Sequence, residues 1–311
     1  MSLDLFLDDA ELVTRINELK KERNAVILAH SYERPEVQDI ADYVGDSLEL
    51  SRLAAKTDAD VIVFCSVHFM AETAKILSPQ KTVLLPSAEA GCPLADMITP
   101  AQLAAEKAKY PNAAVVAYVN CSAEIKAMSD VCCTSANALQ VVNSMPQEEI
   151  LFVPDQHLGR FVQKQTHKKI ILWAGCCPTH QRMKAKDIIA IKQEFPDAVV
   201  VVHPESNEDI CNMADAVLST SQMLRYCQAS DAKTFVIGTE MGMLHRLRTA
   251  MPEKTFIQPS KGLICPNMKM TQLEDVYEAL KENKHPIEIP EPIRIKALRA
   301  LNGMLAAVPT K

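Results

Sequence analysis

No C-x-x-C pair occurs in the chain, although it carries ten cysteines. Structural zinc sites bring two sulfurs to one ion through short C-x2-4-C loops, and thioredoxin-type redox pairs need the same spacing, so the sequence argues against both. A disulfide framework is equally out of place: such frameworks staple short secreted chains, whereas 311 residues with 48% hydrophobic content can bury a core unaided. The thiols are expected to be reduced. No apolar run approaches the roughly 18 residues that span a bilayer. The opening segment, MSLDLFLDDAELV, is acidic where an export signal is basic, so a soluble, cytoplasmic chain is expected. Basic surface and aromatics are scarce too. A net charge of -6 gives no field for tracking phosphate backbones, and fifteen aromatic residues leave little for base stacking. Nucleic acid and membrane are therefore not expected as partners.

What is present is a pattern repeated three times. Cysteine precedes proline at Cys92, Cys177 and Cys265 and nowhere else, with intervals of 85 and 88 residues. The segments ahead of these pairs align as well. Apolar, β-rich runs end at His30, Tyr118 and His203, which lie 62, 59 and 62 residues before the respective cysteine. An Asp is then followed five residues later by a hydroxyl: Asp42 to Ser47, Asp130 to Ser135, Asp215 to Thr220. A second apolar strand carries Phe64, Phe152 and Ile237, each 34 residues beyond the first landmark, and a third strand begins after Lys81, Lys168 and Lys254.

Unbroken Val/Ile/Leu runs alternating with amphipathic stretches such as SLELSRLAAK and GMLHRLRTAM predict small parallel sheets covered on both faces by helices. The expected architecture is α/β: three homologous αβα domains arranged with pseudo-threefold symmetry around a central active site. The boundaries expected are 1–110, 111–197 and 198–285, with a helical extension over 286–311. Ligands of open parallel sheets collect beyond the carboxyl ends of the strands, where His30, Tyr118, His203 and the three cysteines all fall. Of the adjacent thiols in LWAGCCPTHQ, Cys177 is the aligned one and Cys176 a bystander.

Three thiolates from three domains suit a metal centre with one open position. Zinc with three sulfurs and water is one option. A [4Fe-4S] cube normally takes four cysteines, so three would leave one iron free as a Lewis acid. The other cysteines, Cys65, Cys121, Cys132, Cys133, Cys211 and Cys227, lack threefold equivalence and read as small core residues.

The segments HSYERPEVQDIADYVGDSLELSR, FMAETAKIL, YVNCSAEIKAMSD, TSANA, HPE, STSQM, GTEMGMLHRL and CPNMKMT resemble the quinolinate synthase family of de novo NAD synthesis, over about residues 25 to 280. The resemblance implies a three-domain fold with pseudo-threefold symmetry and a [4Fe-4S] cluster on Cys92, Cys177 and Cys265. It also implies condensation of iminoaspartate with dihydroxyacetone phosphate to quinolinate, phosphate and two waters, with an L-aspartate oxidase as a functional partner. An iron-sulfur electron carrier or sensor is the competing class, and it would need a fourth permanent ligand.

That chemistry gives the remaining landmarks roles. Ser47, Ser135 and Thr220 are each expected to open a helix, where unpaired N–H groups favour phosphate and carboxylates. His203 and Glu205, two apart on extended backbone, share one side and can pair for proton transfer. His30 with Tyr32, and Tyr118 with Asn120, repeat the spacing; the resemblance implies substrate binding for His30, Tyr118 and Asn120, proton transfer for Tyr32, and substrate contact for His180. Some members of the family carry further cysteines near the third ligand that can form a disulfide switch. GLICPNMKMT has only Cys265, so no such switch is expected.

Overall fold

The structure is a computed structural model and describes residues 8–307; residues 1–7, which the charge argument above used, and 308–311 lie outside the described residues. Among the described residues twelve strands form three four-stranded sheets, all parallel. The first holds β1 (Ala25–His30), β2 (Tyr43–Gly45), β3 (Val61–Cys65) and β4 (Thr82–Leu84). The second holds β5 (Ala114–Tyr118), β6 (Val131–Cys133), β7 (Glu149–Val153) and β8 (Lys169–Leu172). The third holds β9 (Val199–Val202), β10 (Ala216–Val217), β11 (Thr234–Gly238) and β12 (Thr255–Ile257). Each sheet has the same order, second-first-third-fourth. The central pair is therefore the topological switch point, the place where chain ends diverge and a crevice opens.

The apolar runs form strands because both faces of these sheets are covered: Ile27, Leu28, Val115, Val116, Phe152, Val201 and Phe235 are all fully buried. The short second strand of each unit carries too few residues for an apolar pattern, and the sequence shows only its flanking Asp. The structure gives that Asp its purpose. Asp42, Asp130 and Asp215 each accept, through Oδ2, the N–H of Ile27, Val115 and Val200 at 2.8, 2.8 and 2.7 Å. Each also donates its own N–H back to the carbonyl of that same residue. The repeated lysines are structural too. Lys81 donates to Ala59 O; Lys168 to Met145 O and Gln147 O; Lys254 to Cys227 O and Ser230 O. These are carbonyls at or beyond a helix C-terminus that have no intrahelical partner.

The chain packs as two compact units. One comprises the described residues up to Gly91 together with Pro266–Ile289: helix Leu273–Glu282 returns to pack on helix Asp9–Glu22 and β3, with Val276 and Leu280 beside Ile16 and Val63. The other comprises Cys92–Cys265 and the stretch from Pro290. Its last helix, Glu291–Ala306, lies on β6 and on helix Ala123–Met128. Ala297, Ala300 and Gly303 make that approach close, since a Cβ on Gly303 would stand 2.9 Å from Val131 Cγ2. The third sheet has its own core of Val200, Val202, Ile210, Val236 and Leu263. Among the described residues no helix is long and apolar enough to cross a membrane.

Asp215→Ala removes the acceptor of the Val200 N–H. A loss of about 1–2 kcal/mol is expected, read as a lower urea midpoint with an unchanged slope.

Candidate functional site

The three CP cysteines occupy equivalent places. In each unit the backbone N–H just after the third strand's turn donates to a carbonyl two residues ahead of the cysteine: His68 to Ala90 at 2.7 Å, Gln156 to Gly175 at 2.8 Å, Met241 to Leu263 at 2.9 Å. A short helical turn then follows each CP pair, at Ala95–Met97, Pro178–Gln181 and Asn267–Lys269. This register selects Cys177 over Cys176. Cys92 feels the charge of Cys265, and Cys177 that of Cys92, so Cys92 lies within electrostatic reach of both other thiols. All three are free of disulfides. Burial pushes the Cys92 thiol up to about 12, against N–H groups of Ala95 and Leu94 directed at its sulfur. Burial also pushes Cys177 well above the usual thiol range, with the Glu205 charge adding to it and the His180 N–H opposing it. A bound metal reverses this, because a coordinating thiol is deprotonated outright.

Beside Cys177 stands a buried carboxylate held by two imidazoles. Glu205 Oε2 lies 3.0 Å from His180 Nδ1 and 3.2 Å from His203 Nδ1, and the two rings stack with centroids 4.7 Å apart. His180 Nδ1 also lies 3.2 Å from Cys177 Sγ, and its Nε2 is 2.8 Å from Thr239 Oγ1. His203 Nε2 lies 3.2 Å from Ser135 Oγ. Burial alone would raise the Glu205 carboxyl; the charges and hydrogen bonds of His180 and His203 outweigh it and hold the group well below the usual carboxylate range. His203 is pushed down by burial, with the hydrogen bond and charge of Glu205 resisting and His180 adding to the fall. Two stacked rings disfavour a double positive charge, and one carboxylate oxygen faces both of them. Glu205 Oε1 is buried without a partner, as is Asn120 Oδ1.

The donor set fits a thiolate-ligated metal centre: Cys92 lies within electrostatic reach of both Cys177 and Cys265, N–H groups are aimed at two of the sulfurs, and an orphaned carboxylate oxygen stands beside Cys177. Cys177, His180 and Glu205 by themselves place donor atoms within 4.8 Å of one another, a set that also suits a single divalent ion.

The structure brings Ser135, His180, His203, Glu205 and Cys177 together in one unit, with Tyr118 buried at the end of β5. Thr220 and Ser47 begin ten-residue helices, yet the capping is done by the residue before each, Ser219 and Asp46, both in capping boxes. Ser135 opens no helix; it sits in the turn ahead of helix Ala138–Ser144, where Asn137 holds Thr134 through its Oδ1. In the other unit, His30 Nδ1 accepts from the Tyr32 N–H at 3.2 Å, matching the Glu205 N–H to His203 Nδ1 bond at 3.3 Å. Sequence reasoning missed Asp155 and Glu240, which accept the backbone N–H of Cys177 at 3.2 Å and of Cys265 at 3.1 Å. Both lie three residues past the Phe152 and Ile237 landmarks, but the first unit has Val67 there, so a threefold criterion passed them over. Burial, then the Glu205 charge, push the Asp155 carboxyl well above its ordinary range, against N–H groups of Leu158, Cys177 and His157.

The profile of the quinolinate synthetase A protein family matches residues 14–306. The chain belongs to that family. Among its relatives, the quinolinate synthase of Geobacter metallireducens is 57% identical over 291 residues, covering 94% of this chain and 96% of the relative. That of Dehalococcoides mccartyi strain CBDB1 is 54% identical over 299 residues, covering 96% and 99%. That of Thermodesulfovibrio yellowstonii is 55% identical over 297 residues, covering 95% and 98%. The quinolinate synthetase A family thus takes in all three sheets and the helix that closes the chain.

The loop into Cys177 is sterically tight. A Cβ on Gly175 would stand 2.3 Å from Pro154 O, whereas at Gly91, the residue before Cys92, nothing comes nearer than 3.9 Å. Gly175→Ala is expected to cost about 1–3 kcal/mol and Gly91→Ala far less, a contrast that thermal melts of the two variants measure.

Proposed function

We propose that the chain condenses iminoaspartate with dihydroxyacetone phosphate to give quinolinate, phosphate and two waters, using a [4Fe-4S] cluster on Cys92, Cys177 and Cys265. The observation that carries this reading is the backbone tie recurring two residues ahead of each of those cysteines; the names of the relatives support the activity. When bound, a cluster with three cysteine ligands supplies one iron free to act as a Lewis acid on substrate oxygen or nitrogen. The protein's own residues account for the protons. His203 Nδ1 faces Glu205 Oε2 on one side and the Glu205 N–H on the other. It thus has a partner whether it carries a proton or not, which suits a group that must take and return protons during imine condensation and dehydration. Its Nε2 passes the proton toward the Ser135 side. His180, between Cys177 and Thr239, shares the same carboxylate and contacts substrate. Asn120, with its buried unpartnered oxygen, is the amide that fixes a substrate N–H or hydroxyl. Tyr118, Ser135 and Thr220 complete the substrate contacts here. In the other unit, His30 and Ser47 are proposed as substrate contacts and Tyr32 as a proton-transfer group. The three sequence repeats, 1–110, 111–197 and 198–285, followed by the extension 286–311, are proposed as the homologous domains. An L-aspartate oxidase is the proposed source of the imine, and the cytoplasm the proposed setting.

The Cys177, His180 and Glu205 donor set favours a second reading, a single divalent ion in place of the cluster. Iron and acid-labile sulfide analysis of anaerobically reconstituted protein separates the two. The same preparation, given dihydroxyacetone phosphate and freshly generated iminoaspartate, is expected to form quinolinate. Cys177→Ser is expected to lose both cluster and product while Cys176→Ser keeps both. Glu205→Gln should keep its iron and lose about 10²- to 10⁴-fold in rate. A Cys177→Ser protein with full cluster and product would overturn the assignment.

A further inference from the structure

Two buried carboxyl groups stand one step behind the cysteines and do the same thing after two different sheets' third strands. Asp155 is fully buried and Glu240 is 1% exposed. One oxygen of each is committed to the helix after the third strand: Asp155 Oδ1 accepts from Leu158 N at 2.7 Å, and Glu240 Oε2 from Gly242 N at 2.6 Å. The other oxygen crosses to the loop after the fourth strand, where Asp155 Oδ2 takes the Cys177 N–H and Glu240 Oε1 takes the Cys265 N–H. In both cases the next residue, Gln156 or Met241, makes the backbone tie to the carbonyl two residues before the same cysteine. The cysteine loop is therefore held at two points, once by backbone and once by carboxyl. In the first repeat the described residues show the backbone tie, from His68 to Ala90, and no carboxyl tie, since Val67 occupies the position that Asp155 and Glu240 fill.

Resting on the reading of Cys177 and Cys265 as metal ligands, we infer that Asp155 and Glu240 are positioning residues that preset these two thiolates for the cluster, while among the described residues Cys92 has no such carboxyl tie. A cysteine N–H that is fixed in direction fixes the Cα and Cβ behind the sulfur, so the thiolate is delivered to the metal without first freezing a loop. Groups that orient ligands in this way typically change metal affinity 10- to 100-fold when removed. Both carboxyl groups also anchor the start of a helix, so loss of the fold has to be separated from loss of the cluster.

The test compares anaerobically reconstituted wild type with Asp155→Ala, Glu240→Ala, Asp155→Asn, Glu240→Gln and Val67→Ala. Each is measured for iron and sulfide per chain, for the rate at which excess chelator strips the cluster absorbance, and for its circular dichroism at the same temperature. The two alanine variants are expected to keep a folded spectrum and to lose the cluster about tenfold or more faster than wild type. The amide variants keep one acceptor oxygen and should fall between. Val67→Ala, which loses packing but no hydrogen bond, should match wild type. Folded alanine variants that hold the cluster for as long as wild type would overturn the inference, and so would Val67→Ala losing it as fast as they do. Should an alanine variant be unfolded, the amide variants decide alone: wild-type retention by a folded amide variant would overturn the inference. Wild-type protein that takes up no iron and sulfide at all would instead sink the reading of the cysteines, a result distinct from either.

Discussion

A backbone N–H that follows the third strand of each unit reaches a carbonyl two residues ahead of a cysteine, and the CP dipeptide then turns the chain into a short helical turn. This single bond ties the crevice at the switch point of a parallel sheet to the loop that carries the thiol, in three separate sheets of identical order. Parallel strands leave their carboxyl ends open, and neither strand pairing nor core packing dictates where the following loops go. The tie supplies what the sheet does not. With it, a thiol in each unit occupies the same register relative to the central strands.

Around Cys177 the electrostatics are set by one carboxylate. Glu205 is buried, and a buried carboxylate is tolerated only with partners that offset its desolvation. Its partners are two imidazoles, one reaching the cysteine sulfur and the other a serine hydroxyl. The stacked rings and the shared oxygen put two imidazoles and one carboxylate beside the Cys177 sulfur.

Much of this was legible because repetition multiplied weak signals. A lone Asp ahead of a strand says little, yet Asp42, Asp130 and Asp215 at one spacing marked the same feature three times, and each holds the N–H of a residue in the first strand. The strand that follows each Asp was not legible, since two or three residues carry no periodicity. Ser135 was read as a helix start because its two counterparts are; the Thr134–Asn137 bond delays the helix to Ala138. His203 with Glu205 followed from alternation along an extended chain, whereas the approach of His180 to the same oxygen is tertiary and has no local signature. Asp155 and Glu240 escaped for the opposite reason: the threefold repeat is broken there by Val67.

Neither compact unit is a continuous stretch of chain. The first sheet waits for Leu273–Glu282 to cover it, and β6 waits for Glu291–Ala306. On a ribosome, which delivers the polypeptide from its amino end, both bodies therefore remain unfinished until Leu273–Glu282 and Glu291–Ala306 have emerged. Termination between the third cysteine and the end of Glu291–Ala306 would strip cover from one or both of them while sparing every residue assigned to the chemistry.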